Sequence, residues 1–226
     1  MEKQISAGAR EKLPYTLFEQ LPEKHYRPFA RLLWTTVIVL AIIMTSVDRP
    51  LKTGSSPDGI ISFETAGSID KVTLILNSWG TKGQLMAAFS LGLDFLFIAS
   101  YTAALSFTCF LAGRYFFDKG RRLIGKTGFI MSWAVPVIAI LDVLENYCLI
   151  RVLVEINPHI ESISSSLQMI AVAASRFATT KFILLGIVFA YLFIAFIEKT
   201  VSIFCDPVWN HKRHTTTKTK QTGSIS

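Results

Sequence analysis

Apolar residues are gathered into four long blocks from which charged residues are nearly absent. The first is Leu32 to Val47, extended back through Phe29 and Ala30 and bounded by Arg31 and by Asp48-Arg49. The second, Gln84 to Gly113, holds a single charge, Asp94. The third, Gly128 to Ile150, carries Asp142 and Glu145 and is closed by Arg151. The fourth, Phe177 to Ile197, has Lys181 near its start and Glu198-Lys199 just beyond. About 20 apolar residues cross the hydrocarbon core as a helix. Lipid offers backbone N–H and C=O groups no partner, so such a run must bond within itself. The pattern predicts an all-α protein, a four-helix transmembrane bundle with spans at about 29–47, 84–113, 128–150 and 177–197. Residues 1–28 then form a cytoplasmic N-terminal segment, and 198–226 a cytoplasmic, largely disordered tail. The polar leader before the first block is long and no small-x-small site follows it, so that block reads as a retained signal anchor.

The segments between the blocks are not all plain connections. After the turn-rich TGSSPDG, residues Ile69, Val72, Ile75, Leu76 and Trp79 recur at helical spacing. Ser68 is placed to cap that helix and Gly80 to end it. A short amphipathic helix is expected in this first outer loop, lying on the membrane or capping the bundle, with Trp79 at the interface. Further on, Asn157-Pro158 should end the third helix, since proline disfavours helix in the residue before it. From Glu161 the pattern can run as one helix into the fourth span and project beyond the bilayer.

Composition adds class and orientation. Charged residues make up 17% of the chain, against roughly 25% in soluble domains. The net charge of +7 is unevenly placed. Lys and Arg number six in 1–31, four in 48–83, five in 114–127, two in 151–176 and five in 198–226. The alternation puts both termini and the 114–127 loop in the cytoplasm. The expected location is a plasma or bacterial inner membrane. The basic residues lie in three membrane-adjacent segments without a nucleic-acid motif, so the expected partners are the bilayer and its anionic head groups, not nucleic acid. No cofactor is expected. Cys109 and Cys148 fall near opposite ends of their spans, which argues against a bridge. Cys205 is a candidate for palmitoylation. His211 and His214 alone do not complete a metal site, and any metal is left unknown.

The candidate chemistry lies in the few polar residues inside the spans. Asp142, Glu145 and Asn146 are spaced i, i+3, i+4 and share one helix face. Asp94 and Tyr101, seven apart, share a face of the second span. With the second span running inward and the third outward, Asp94 lies about 15 Å below the outer end, Asp142 roughly 12 Å and Glu145 roughly 8 Å. Lys181 is near the level of Glu145. A charge at mid-span costs roughly 2.5–3.5 kcal/mol and a Leu-like residue returns about 0.3–0.6. The second span absorbs Asp94 easily, whereas the third comes out near zero. That helix requires the bundle, with its acids paired, protonated or facing water. Pro136 adds a kink point and frees the carbonyl of Ser132.

Three readings follow. The first is a non-enzymatic membrane protein with a buried carboxylate network that sets bundle structure and can bind a proton, cation or small ligand. In it Lys181 and Arg151 meet Glu145 and Asp142, and Tyr101 meets Asp94. The second is a transporter or channel component for protons or cations. The third is an intramembrane enzyme using paired carboxylates; no nucleophile elbow, HExxH, phosphate loop or CxxC supports it. Small-xxx-small pairs at Ala88/Gly92, Ala99/Ala103 and Ser100/Ala104 fit close packing within the chain or between copies, so oligomeric state stays open.

The combination Phe63-Glu64-x-Ala66, Trp79, Asp94-x-x-Phe97-x-x-x-Tyr101 and Asp142-x-x-Glu145-Asn146 resembles a family of uncharacterised four-span integral membrane proteins. The resemblance covers about residues 60–150 and carries no known activity. It implies a site that also involves Glu64, where the outer segment folds over the bundle.

Overall fold

A computed structural model of the chain describes residues 18, 20–156 and 165–221, with side chains as far as residue 201. Among the described residues every regular element is a helix: α1 Tyr26–Asp48, α2 Ile60–Glu64, α3 Ile69–Asp118, α4 Arg122–Glu155 and α5 Ser165–Gln221, with 3-10 turns at Glu23–His25 and Arg49–Leu51. Four helices among the described residues are long and apolar enough to cross a membrane. They contain the four blocks expected from the sequence, and α5 stays helical past Ile197. The break at Asn157-Pro158 and the helix start at Glu161 lie outside the described residues, as do the side chains of Cys205, His211 and His214. The chain divides into two units, residues 1–186 and 187–226. The second is the remainder of α5 and the residues after it; all packing described below belongs to the first.

α3 is two helices joined at a glycine. Ser68 caps the first, its hydroxyl accepting from the Lys71 N–H at 3.4 Å. Ile69, Val72, Ile75, Leu76 and Trp79 are all buried, as their spacing predicts. Gly80 breaks the helix with φ 58°, a conformation that costs a residue with a side chain dearly. The long apolar part of α3 follows directly. The amphipathic helix caps the bundle: its buried face packs with Leu51, Phe63 and Ala66, with Leu149 and Val152 of α4, and with Leu167, Ala171 and Ala174 of α5. The indole of Trp79 is turned into the fold. It is buried, and its Nε1–H lies 2.6 Å from the Leu51 carbonyl and 2.8 Å from Ser56 Oγ. Its N–H is satisfied by the segment that precedes α2.

At the other end α3 and α4 approach until their backbones nearly touch. A Cβ on Gly113 would sit 2.9 Å from the Gly125 carbonyl oxygen, and one on Gly125 equally close to that of Gly113. Phe107, Phe110 and Phe129 fill the space beside this crossing, with Phe18, Tyr26 and Phe29 packed against them. Arg114 donates to the Tyr26 hydroxyl at 2.7 Å and pairs with Glu23. The flagged pair Ala88/Gly92 is exposed and takes no part in this packing. α1 buries only Val37 and Leu40, and its Trp34 Nε1–H reaches Thr108 Oγ1 of α3 at 3.1 Å.

Candidate functional site

The polar residues of α3, α4 and α5 converge with Glu64 of α2. On α4 the i, i+3, i+4 face of Asp142, Glu145 and Asn146 is turned wholly inward, and all three are buried. Lys181 reaches across from α5 and is buried too. Its Nζ lies 2.7 Å from Asp142 Oδ1, 2.7 Å from Glu145 Oε2 and 3.8 Å from Glu64 Oε2. It also stands 5.0 Å from the centroid of the Phe182 ring. The second oxygen of Asp142 accepts from the Tyr101 hydroxyl at 2.7 Å. Asn146 Nδ2 donates to Asp94 Oδ2 at 2.7 Å. The seven residues singled out from the sequence therefore form two bonded groups, Lys181 with Asp142, Glu145, Glu64 and Tyr101, and Asn146 with Asp94, held side by side by the shared face of Asp142, Glu145 and Asn146.

The pairings differ from those expected in two places. Tyr101 bonds Asp142 and not Asp94, because Asp94 is taken by the amide of Asn146 one turn further along α4. Arg151 does not enter the cluster. It sits on the exposed face of α4 and pairs with Glu155, one turn on, with Tyr147 at 3.5 Å. Position 151 is six residues from Glu145, about a third of a turn off its face, so a long side chain there finds a partner on its own helix.

Not every polar atom is satisfied. Glu145 is fully buried, and although its Oε2 touches Lys181, neither oxygen accepts a well-aligned hydrogen bond among the described residues. Asn146 Oδ1 is likewise buried without a donor. Buried acceptors left bare are costly, and three of the five side-chain polar atoms in that state among the described residues are here, the others being the Thr102 and Ser106 hydroxyls of α3.

Glu64 is held in place by contacts between residues far apart in sequence. Asp48, at the end of α1, accepts from the Ile60 N–H at 2.7 Å and so caps α2. Gly59 makes this possible: its φ is +62°, and a Cβ there would lie 2.3 Å from Asp48 Oδ1. Phe63 wedges against Trp79, ring centroids 5.6 Å apart. At the far end of the loop, Gln168 Oε1 of α5 accepts from the Ile69 N–H at 2.9 Å. Asp48, Gly59 and Gln168 carry no local signal of these roles, since each partner is brought to them by the fold. Burial pushes the Glu64 carboxyl up to about 8, against the opposing pull of Lys181, with Glu145, Asp94 and Asp142 adding to the rise. Water is scarce around it, and the ionised form is disfavoured there.

Chemically, four carboxyl groups face one ammonium in a nearly dry space. Among the described residues no group of three or more His, Cys, Asp or Glu is arranged to hold a metal ion. No protein-family model matches the chain, no curated protein matches it, and no solved structure matches it.

Proposed function

We propose that the chain is a non-enzymatic, multi-pass integral membrane protein whose buried Lys181 network fastens the outer half of the bundle and retains protons. The single observation that carries this reading is Lys181 shared between carboxyls of two elements, Asp142 and Glu145 on α4 and Glu64 on α2. Four acids and one base cannot all be charged in so dry a place, because each uncompensated charge costs several kcal/mol. Protons are the simplest counter-charge for acids this deeply buried. The surroundings fit a bilayer: Leu32, Ile42, Leu85, Phe89, Leu96, Ile130 and Ile140 are all exposed on the long helices, and apolar surface on this scale needs a cover. The proposed orientation places both termini and the 114–127 loop in the cytoplasm of a plasma or bacterial inner membrane. There the basic residues meet anionic head groups.

An acid–base enzyme is less well served, since Asp142 is already held by Tyr101 and Lys181. A proton or cation pathway is the second reading, favoured by the excess of carboxyls. Lys181→Met tests the first. It should lower unfolding stability in lipid by roughly 3–5 kcal/mol, because it strands the acids around it. Adding Asp142→Asn should recover part of the loss. An unchanged melting profile for Lys181→Met would defeat the network reading. Proton or cation flux in liposomes under an imposed gradient, lost on Asp94→Asn with folding intact, would establish the pathway instead.

A further inference from the structure

Glu64 differs from the other acids of the cluster. It is carried by α2, outside the long apolar helices, at the end of the outer segment that closes over them. Its side chain is 11% exposed, whereas that of Glu145 beneath it is 0% exposed. Lys181 divides its charge among three acids and stands closer to Asp142 and Glu145 than to Glu64. Glu64 is therefore the least compensated of the three, and its carboxyl meets that of Glu145 at the same Lys181 Nζ. Glu145 in turn has no well-aligned donor to either oxygen. Two carboxyls this close cannot both ionise in a dry site, and one proton between them answers both demands. It removes a charge and supplies the missing donor.

We propose that Glu64 and Glu145 bind one proton between them, and that this proton latches α2 and the outer segment onto the helices beneath. The inference rests on the network reading above and adds a site to it. The charged groups facing Glu64 are Lys181 from α5, Glu145 and Asp142 from α4, and Asp94 from α3. Three acids against one base leave protonation of Glu64 favoured. Its carboxyl is pushed up to about 8 by burial. A raised acid stabilises the closed form fully below its ordinary pKa of 4.5, and the benefit is lost as pH rises through about 8. The latch is then shut in neutral and acidic surroundings and loosened in alkaline ones. The exposed edge of Glu64 gives its proton a route to the aqueous side.

The test uses the full chain in lipid nanodiscs. Infrared spectra across a pH titration should show a protonated-carboxyl C=O band that disappears as pH passes about 8 and is missing in Glu64→Gln. Hydrogen exchange of the amides of residues 60–66, divided by the intrinsic rate, should lose protection by about tenfold per pH unit on the approach to that value. In Glu64→Gln protection should stay level, because the amide is uncharged and donates permanently. The proposal is overturned if the wild-type protein shows no such band, if its exchange ignores pH, or if Glu64→Gln loses protection in step with the wild type. The wild-type measurements decide it even if the variant fails to fold. A stable Lys181→Met protein with the band intact would remove the network reading and leave the shared proton standing; the reverse pattern removes the shared proton alone.

Discussion

Each side chain of the cluster is held by a donor or acceptor on a different helix, so single changes have separable effects. Asp142 shows this most clearly, because its two oxygens are assigned to two partners, Tyr101 and Lys181. Tyr101→Phe removes one donor and leaves the ring. We expect a loss of about 1–3 kcal/mol, the cost of baring a buried charged acceptor, seen as a lower unfolding midpoint in lipid. Tyr147→Phe, on the exposed face of α4, is the control and should stay within about 0.5 kcal/mol. Equal effects of the two would mean that the Tyr101 hydroxyl carries no weight. The sequence marked the members of the cluster, because polar residues stand out in apolar runs. It did not assign the pairs. Asn146 takes Asp94 and Tyr101 takes Asp142 through the rotation of α3 against α4, which no spacing within one helix encodes.

At the scale of elements, glycines do two different jobs. Gly80 supplies a backbone conformation, φ 58°, with open space around its missing Cβ. Gly113 supplies room, with the Gly125 carbonyl 2.9 Å from where a Cβ would stand. Gly80→Ala should therefore cost about 1–3 kcal/mol, all of it from a backbone conformation, φ 58° with ψ −176°, that is essentially reserved for glycine. Gly113→Val should cost more, because a backbone cannot move aside as a side chain can, and should part the Phe107–Phe129 end of the helix pair. Thermal unfolding of both variants measures the order. A larger loss for Gly80→Ala would mean that the break between the cap and the long helix matters more than the crossing. The amphipathic cap itself was legible down to its limits, since Ser68, five apolar positions and Gly80 form a local code. The single turn of α2 was not, because it is stabilised by Asp48 from another helix.

At the scale of the whole molecule, orientation is the property most open to direct test. A cysteine at Ser55, exposed in the outer segment, should react with an impermeant thiol reagent from outside intact cells. One at Thr217 should react only after permeabilisation. The reverse pattern would put the Lys181 cluster in the inner half of the bilayer and give its proton the cytoplasm as its source. The latch would keep its geometry and change its compartment.

Long runs nearly free of charge fixed the number and place of the apolar helices without help from the fold, because a backbone in lipid has only its own helix to bond to. The uneven Lys and Arg count likewise set the expected orientation, and the i, i+3, i+4 spacing set which face of α4 is polar. What the tertiary structure decided is which charge answers which. Lys181 is more than thirty residues from Glu145 in sequence and 2.7 Å from it in space. Arg151, a near neighbour in sequence, turns away to Glu155. Glu64 reaches the cluster only because Asp48, Gly59 and Gln168, in three separate stretches of chain, fold the outer segment down upon it. Local spacing determines the face a residue occupies; the partner on that face depends on how helices are rotated and stacked against one another, and that is settled by packing across the whole chain.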